Sequence, residues 1–163
     1  MSSFEELKYA PEGSAEHNEY LCMEYPFLIP RNPVDDEIRE DYDFTYILID
    51  GAPDGWRTLI LNLCEEIARE LDKFESAIDE YRVLQVKEKF GMLCWYDYGA
   101  PENSKIEEIK QKYTEMSKRI CVRCGRPAEV VTTSWIQPYC NKCVPSGAMC
   151  VEIRMEELDG LQC

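Results

Sequence analysis

The chain has 163 residues, 45% of them hydrophobic, and a formal net charge of −14. This length and apolar content predict one folded domain with its own core, and they exclude a disordered chain. No stretch approaches twenty consecutive apolar residues, so the sequence predicts no membrane-spanning helix and no membrane partner. Residues 1–14 lack the basic and apolar segments of a signal peptide, so we expect a cytoplasmic protein with reduced thiols.

The charge is unevenly distributed along the chain. Residues 1–80 contain 21 acidic and 6 basic side chains, whereas residues 81–146 contain 7 acidic and 11 basic ones. Ordinary solubility is one reason for such an excess of acidic residues. The functional interpretation is that the acidic half repels nucleic acid and suits a basic protein partner.

Residues 1–43 are predicted to form an acidic arm and loop. A short helix ends near Tyr25, where prolines begin, and an extended apolar segment follows and lies on the core. The acidic stretch VDDEIREDYD then forms a loop. Residues 44–50 are rich in β-branched and aromatic side chains, which predicts a strand or extended segment that ends at Gly51.

Residues 44–120 are predicted to form an α+β core. Asp54 is a candidate N-cap for a helix over residues 54–74, because a carboxylate accepts hydrogen bonds from the free amides of a first turn. Apolar residues recur there at steps of three and four, which places one stripe against the core. Residues 81–99 favour a hairpin that turns at residues 89–91, and one long strand with a glycine bulge is the alternative.

A second helix is predicted to begin at Ser104, since Glu107 three residues later completes a capping box. Its apolar residues, spaced three and four apart up to Ile120, place it on the sheet. Residues 121–146 form the predicted zinc ribbon, and residues 147–163 form a tail that adds an edge strand or a short helix. The predicted fold class is α+β: a small antiparallel sheet with two packed helices and a C-terminal four-cysteine zinc ribbon.

Four cysteines carry the strongest chemical signal. They form two Cys-x-x-Cys pairs, Cys121 with Cys124 and Cys140 with Cys143. Two such turns supply a tetrahedron of thiolates for one structural zinc ion per chain, and iron is the main chemical alternative. Four thiolates leave no position for water or substrate, so we expect the metal to be structural. The other five cysteines are interpreted as small apolar side chains or surface thiols.

The sequence offers no catalytic arrangement, and we expect a protein that is not an enzyme. Its single histidine, His17, lies in the polar N-terminal arm, and no Cys–His or Ser–His–Asp arrangement uses it. The sequence has no glycine-rich phosphate loop. Adjacent acids such as Glu65 and Glu66 are interpreted as parts of solvated faces.

Two groups of charged side chains are candidate binding sites. The acidic group is the candidate site for a basic protein partner and comprises Asp35, Asp36, Glu37, Glu40, Asp41 and Asp43. The basic group around the cysteines is the candidate nucleic-acid site and comprises Lys118, Arg119, Arg123, Arg126 and Lys142. Lys87 and Lys89, next to Phe90, form a second basic and aromatic patch. The alternative to a binding role is that these basic side chains form ion pairs with acidic side chains of the same chain.

Three motifs in a fixed order mark a resemblance. They are the sequence DGW at residues 54–56, the sequence VKEKFG at residues 86–91, and the four cysteines. Over roughly residues 44–143 the chain resembles a family of small uncharacterised proteins from bacteria and their phages. It departs from that family at Met92 and at residues 94–95, where similar proteins have Gly and Arg–Phe. The resemblance implies the fold, the zinc site and a phage or mobile-element origin, but no activity.

We therefore expect a non-catalytic, zinc-stabilised binding module whose partner is a protein. For a phage protein, the most concrete version is an inhibitor of a bacterial defence complex, such as an anti-CRISPR protein whose acidic face mimics nucleic acid. The alternative is a nucleic-acid-binding zinc-ribbon protein that uses the basic group.

Overall fold

A computed structural model describes residues 3–153 of the chain, and within them the fold is α+β. The helices are α1 (Phe4–Lys8), α2 (Ala15–Glu24), α3 (Arg57–Leu71), α4 (Ala77–Glu80) and α5 (Ile106–Ser117). The strands are β1 (Arg82–Lys89), β2 (Met92–Tyr98), β3 (Val130–Thr132), β4 (Pro138–Tyr139) and β5 (Cys150–Glu152). Short 3-10 turns lie at Pro26–Leu28, Leu48–Gly51 and Asp54–Trp56. The predicted fold class is confirmed.

Two small antiparallel sheets organise the strands. β1 and β2 form a hairpin, and β4, β3 and β5 form a three-stranded sheet in that order. The hairpin turns through Phe90 and Gly91, whose φ angles are 52° and 80°. Two successive positive φ angles are typical of the tight turns that match the twist of a hairpin. The predicted hairpin is thus confirmed, and the alternative of one continuous strand is wrong.

The core lies between the β1–β2 hairpin and the two long helices. The buried stripe of α3 contains Leu59, Ile60, Leu63, Cys64, Ile67 and Leu71. Helix α5 contacts β2 through polar groups as well as apolar ones. The Thr114 hydroxyl donates to the carbonyl of Leu93 at 2.9 Å, and the amide of Leu93 donates to the Ser117 hydroxyl at 2.8 Å. These bonds satisfy backbone groups of β2 that a neighbouring strand would otherwise pair.

The predicted strand or extended segment at residues 44–50 is not a strand, because Leu48–Gly51 is a 3-10 turn. The carboxylate of Asp50 stabilises this turn, since it accepts a hydrogen bond from the amide of Ile47 at 2.8 Å. Ile47, Leu48 and Ile49 are nevertheless buried. The apolar run therefore indicates burial, which a short turn achieves as well as a strand does.

Both predicted helix caps are wrong. Helix α3 begins at Arg57, after the Asp54–Trp56 turn, and its N-cap position makes no side-chain hydrogen bond. The N-cap of α5 is Lys105 rather than Ser104. The carboxylate of Glu70, on α3, accepts the Lys105 amide at 2.9 Å. Glu70, which is distant in sequence, thus supplies the hydrogen-bond acceptor that the capping-box pattern assigned to Glu107.

The two ends of the described chain agree in part with the prediction. Helix α2 ends at Glu24, as expected, and Phe27 and Leu28 then lie in the core, but in a 3-10 turn rather than in the predicted extended segment. β5 lies in the predicted tail and pairs with β3 as an edge strand. The rest of that tail, residues 154–163, lies outside the described residues. No helix within residues 3–153 is long and apolar enough to cross a membrane.

Candidate metal centre

The side chains of Cys121, Cys124, Cys140 and Cys143 come together, with their sulfur atoms all within 4.8 Å of one another. The sulfurs of Cys124 and Cys140 are 3.6 Å apart. Zinc–sulfur bonds of about 2.3 Å in a tetrahedron place sulfurs about 3.8 Å apart, whereas a disulfide requires about 2.05 Å. The cluster therefore fits one zinc ion with four thiolate ligands. Within residues 3–153 it is the one group of this kind.

The first cysteine pair lies on a tight turn. The amide of Gly125 donates to the carbonyl of Cys121 at 3.0 Å, and the amide of Cys121 donates to the carbonyl of Arg126 at 2.8 Å. Gly125 has a φ of 75°, in the left-handed region that a side chain disfavours. Glycine at this position therefore lets the chain reverse directly after Cys124.

The β3–β4 hairpin carries the second pair back to the first. The amide of Val122 donates to the carbonyl of Pro138 at 3.0 Å, which ties the first turn to β4. The second turn repeats the local pattern, since the amide of Val144 donates to the carbonyl of Cys140 at 3.1 Å, as that of Gly125 does to Cys121. Cys121 and Cys140 are buried, whereas Cys124 is exposed. The metal site is thus shielded on its core side and open on the other.

The thiols of the cluster differ in acidity. Burial alone would raise the pKa of Cys121, but backbone amides directed at its sulfur outweigh burial and lower the pKa to about 7. Hydrogen bonds to the neighbouring cysteine sulfurs raise the pKa of Cys143 to about 12. The thiolate of Cys121 therefore forms readily, whereas Cys143 needs the charge of a bound cation to lose its proton, as expected for a site that binds zinc.

The 3-10 turn Asp54–Trp56, here named the DGW turn, attaches this site to the core. The indole N–H of Trp56 donates to the carbonyl of Ile120 at 2.9 Å, directly before the first ligand. The amide of Gly55 donates to the carbonyl of Val122 at 2.8 Å. Trp56 is fully buried. Sequence patterns alone did not reveal that the first motif contacts the cysteine turn.

The VKEKFG segment also contacts the zinc ribbon. One carboxylate oxygen of Glu88 accepts the amide of Gly91 at 2.6 Å, which stabilises the β1–β2 turn. The other oxygen accepts the side-chain amide of Gln137 at 3.3 Å, from the turn between β3 and β4. Two of the three motifs therefore contact the ribbon that holds the third.

The acidic residues of the loop 34–43 do not act alike. Asp36 is bound by two side chains of the hairpin, because its carboxylate accepts hydrogen bonds from Arg82 Nε at 2.9 Å and from the Tyr98 hydroxyl at 3.1 Å. The hydrogen bond from Arg82 holds the pKa of Asp36 below its usual value. Asp41 pairs with Arg39 at 2.6 Å.

Other acids of this group have local roles or exposed side chains. Asp43 accepts the Thr45 hydroxyl at 2.7 Å, which gives it a turn-stabilising role. Asp35 accepts the amide of Glu37 at 3.0 Å. Asp35, Glu37 and Glu40 are exposed. The acidic group is therefore a folded loop with a few outward carboxylates.

The basic group is only partly on the surface. Lys118 is buried and donates to the carboxylate of Glu115 at 2.7 Å, so it is not accessible to a polyanion. Arg119 is half-buried, whereas Arg123, Arg126 and Lys142 are exposed around the cysteine turns. The structure therefore brings three exposed bases to the metal site rather than five.

Sequence reasoning missed an exposed apolar surface at the tips of the two hairpins. Phe90 is 54% exposed and Trp135 is 71% exposed. The tips touch each other, because a Cβ at Gly91 would lie 3.2 Å from the Cγ2 atom of Ile136. Lys89 lies near this surface, with its ammonium 5.5 Å from the centre of the Phe90 ring. The available signal was a large apolar residue in the predicted turn at residues 89–91 and another between the two cysteine pairs.

The remaining described cysteines follow the prediction with one exception. Cys22 and Cys64 are buried in the core, and Cys150 is exposed. Burial raises the pKa of the Cys22 thiol to about 12, so it stays protonated at neutral pH. Cys94 is disulfide-bonded, which corrects the interpretation of all five as free thiols or apolar fillers. Cys163 lies outside the described residues.

Comparisons with known proteins add no relative. No protein-family model matches the chain, and neither does any curated protein or solved structure. The resemblance to small proteins of bacteria and phages therefore stays a prediction, and the function is argued from the chain itself.

Proposed function

We propose that the chain is a non-catalytic, zinc-stabilised binding module whose partner is a basic protein. A cluster with four cysteine ligands supports the first part, because a filled tetrahedron leaves the metal no position for substrate. The carboxylates of Glu66 and Glu70, which pair with lysines, also support a non-catalytic role. Lys112 and Lys73 hold the pKa values of Glu66 and Glu70 below their usual range, so both carboxylates stay ionised and neither is suited to donate a proton.

The observation that carries the choice of partner is the fixed shape of the acidic loop. Asp36 links this loop to β1 and β2 through Arg82 and Tyr98. Arg31 adds a further hydrogen bond to the carbonyl of Asp36 at 2.8 Å. Exposed carboxylates on an ordered loop hold negative charge in fixed positions, which suits a basic partner surface. Ordering before binding also reduces the entropy cost of association.

The finer version of the proposal is that the protein inhibits a bacterial defence complex in the manner of an anti-CRISPR protein. Its support is the net charge of −14 and the resemblance to phage proteins. The burial of Lys118 favours this version over a nucleic-acid-binding zinc ribbon. We also propose action in a cytoplasm, where the zinc ligands stay reduced.

The first experiment asks whether the protein binds nucleic acid itself. Gel shifts and filter binding with short DNA and RNA are run at low and moderate salt. We expect no retention at moderate salt, because the net charge opposes the approach of a polyanion. Tight retention that weakens steeply with salt, and less steeply in an Arg123→Gln/Arg126→Gln variant, would establish the nucleic-acid-binding alternative instead.

The second experiment asks whether the protein competes with nucleic acid for a basic protein. A purified CRISPR effector complex bound to labelled DNA is titrated with the protein. We expect displacement, weakened in a Glu37→Gln/Glu40→Gln variant. The matched control Glu12→Gln/Glu102→Gln removes two exposed charges elsewhere and is expected to displace DNA as well as the unmodified protein does.

Arg82→Gln separates loop shape from total charge. This change makes the chain more negative by one charge but removes the partner of Asp36. A loop that must be ordered predicts weaker displacement of DNA, whereas net charge alone predicts stronger displacement. Failure of every variant and of the unmodified protein to displace DNA would reject the anti-CRISPR version.

A further inference from the structure

We propose that Gly55, Trp56 and Gly125 are positioning residues of the zinc site. None of them is a ligand, yet together they fix the turn that carries Cys121 and Cys124. The affinity for zinc is therefore set in part by the DGW turn, which belongs to the core rather than to the ribbon. This inference concerns the metal site alone and does not depend on the proposed partner.

Gly55 leaves space that the cysteine turn occupies. A Cβ atom at this position would lie 2.2 Å from the carbonyl oxygen of Cys121 and 2.6 Å from the carbonyl carbon of Val122. Both neighbours are backbone atoms, so no side-chain rotation relieves the overlap. The φ angle of Gly55 is outside the left-handed region. Glycine is therefore required here for space and not for conformation.

Gly125 completes the contact from the opposite side. A Cβ atom on Gly125 would lie 2.8 Å from the carbonyl oxygen of Gly55. Two glycine backbones thus lie directly against each other, one in the DGW turn and one directly after Cys124. The hydrogen bonds from Gly55 to Val122 and from Trp56 to Ile120 hold this contact in register.

A shift of this turn changes the geometry of the ligands. Zinc sites tolerate deviations of about 0.2 Å in metal–ligand distance. An added methyl group at Gly55 needs a backbone displacement of several times that size, since the overlap involves atoms at 2.2 Å. Cys121 and Cys124 would then move relative to Cys140 and Cys143. Changes to groups that orient metal ligands typically weaken metal affinity about 10–100-fold.

The experiment uses the full chain and compares three alanine variants. Gly55→Ala and Gly125→Ala change the contact, and Gly147→Ala is the matched control. Gly147 has a φ of 76°, close to the 75° of Gly125, but a Cβ there meets no atom within 4 Å. The strain that a positive φ imposes on alanine is therefore comparable at Gly125 and Gly147. The difference between these two variants isolates the contact with Gly55.

Zinc affinity is measured by competition with a chromogenic chelator, and circular dichroism reports the fold of each zinc-loaded variant. We expect Gly55→Ala and Gly125→Ala to weaken zinc binding about tenfold or more, and Gly147→Ala to change it less than about threefold. Equal affinities of the Gly125→Ala and Gly147→Ala variants would overturn the proposal. A folded Gly55→Ala variant with unchanged affinity would also overturn it.

A second measurement tests the proposal without the Gly55→Ala variant, in case that variant does not fold. The Trp56→Phe variant keeps the aromatic bulk but removes the indole donor to Ile120. We expect it to release zinc to the chelator faster than the unmodified protein, whereas Trp135→Phe, at an exposed position, leaves the release rate unchanged. Equal release rates for the two tryptophan variants would contradict the positioning role of Trp56.

Discussion

Replacement of Trp56 by alanine tests how strongly the DGW turn stabilises the protein. The side chain is fully buried, and its indole N–H donates to the carbonyl of Ile120 at 2.9 Å. A buried aromatic side chain covers about 150–250 Å², which at about 25 cal/mol per Å² corresponds to about 4–6 kcal/mol. Measured truncations of buried aromatics cost about 3–5 kcal/mol, since the surroundings relax in part. We therefore expect a loss of about 4 kcal/mol in the free energy of unfolding.

Urea denaturation followed by circular dichroism measures this loss. With a slope of about 2 kcal/mol per M, a loss of about 4 kcal/mol lowers the midpoint by about 2 M. Zinc is held at one excess concentration throughout, because metal binding is coupled to folding. Trp135→Ala is the control, because that side chain is 71% exposed. A loss below about 0.5 kcal/mol for Trp56→Ala would refute the reasoning and give Trp56 a surface role instead.

The other predictions concern the metal, the helix cap and pH. Cys121→Ser is expected to abolish the binding of one zinc ion per chain and to lower the melting temperature. Metal analysis and calorimetry measure these two effects. An unchanged melting temperature in metal-free protein would contradict a structural zinc. Glu70→Ala is expected to cost about 1 kcal/mol in urea denaturation, because the Lys105 amide loses its acceptor, whereas Ser104→Ala stays within about 0.5 kcal/mol. The opposite order would restore Ser104 as the cap. The lowered pKa values of Glu66 and Glu70 provide stability at neutral pH that is lost as the pH falls below about 5. When the free energy of unfolding is measured against pH, its decrease at acidic pH should be smaller for Glu70→Gln than for the unmodified protein. An equal decrease would exclude this contribution.

The parts of the fold that could be predicted from the sequence depend on residues close together in the chain. Apolar spacing identified α3 and α5, and Gly91 marked the hairpin turn. The cap of α5 depends instead on Glu70, which lies 35 positions before Lys105. A capping-box pattern indicates a local possibility, and a distant carboxylate that reaches the same amide displaces it. Local signals were therefore reliable for the two long helices and the hairpin, but they failed for the apolar run at residues 44–50 and for element ends.

The metal ligands could also be predicted, because two Cys-x-x-Cys pairs at this spacing are typical of structural zinc sites. The role of the DGW turn could not, since Gly55 and Val122 are far apart in sequence and meet only through the fold. A glycine required for space leaves no local pattern, because its neighbours are carbonyl atoms of a remote turn. The same limit applies to Glu88, whose contact with Gln137 crosses 49 positions.

The acidic loop shows why a count of charges is a poor guide to a binding face. The six acids look equivalent in the sequence, but Asp36 forms ion pairs that remove part of its field from the solvent side. Its carboxylate instead joins the loop to β1 and β2 through Arg82 and Tyr98. Arg82, which holds it, begins β1, and the β1–β2 turn at the other end of that strand touches the zinc ribbon. At about 3.3 Å per residue, the eight residues of β1 place this turn about 25 Å from the start of the strand. A partner that approaches the acidic loop therefore meets a surface whose shape depends on β1, while the zinc stabilises the opposite end of the same hairpin.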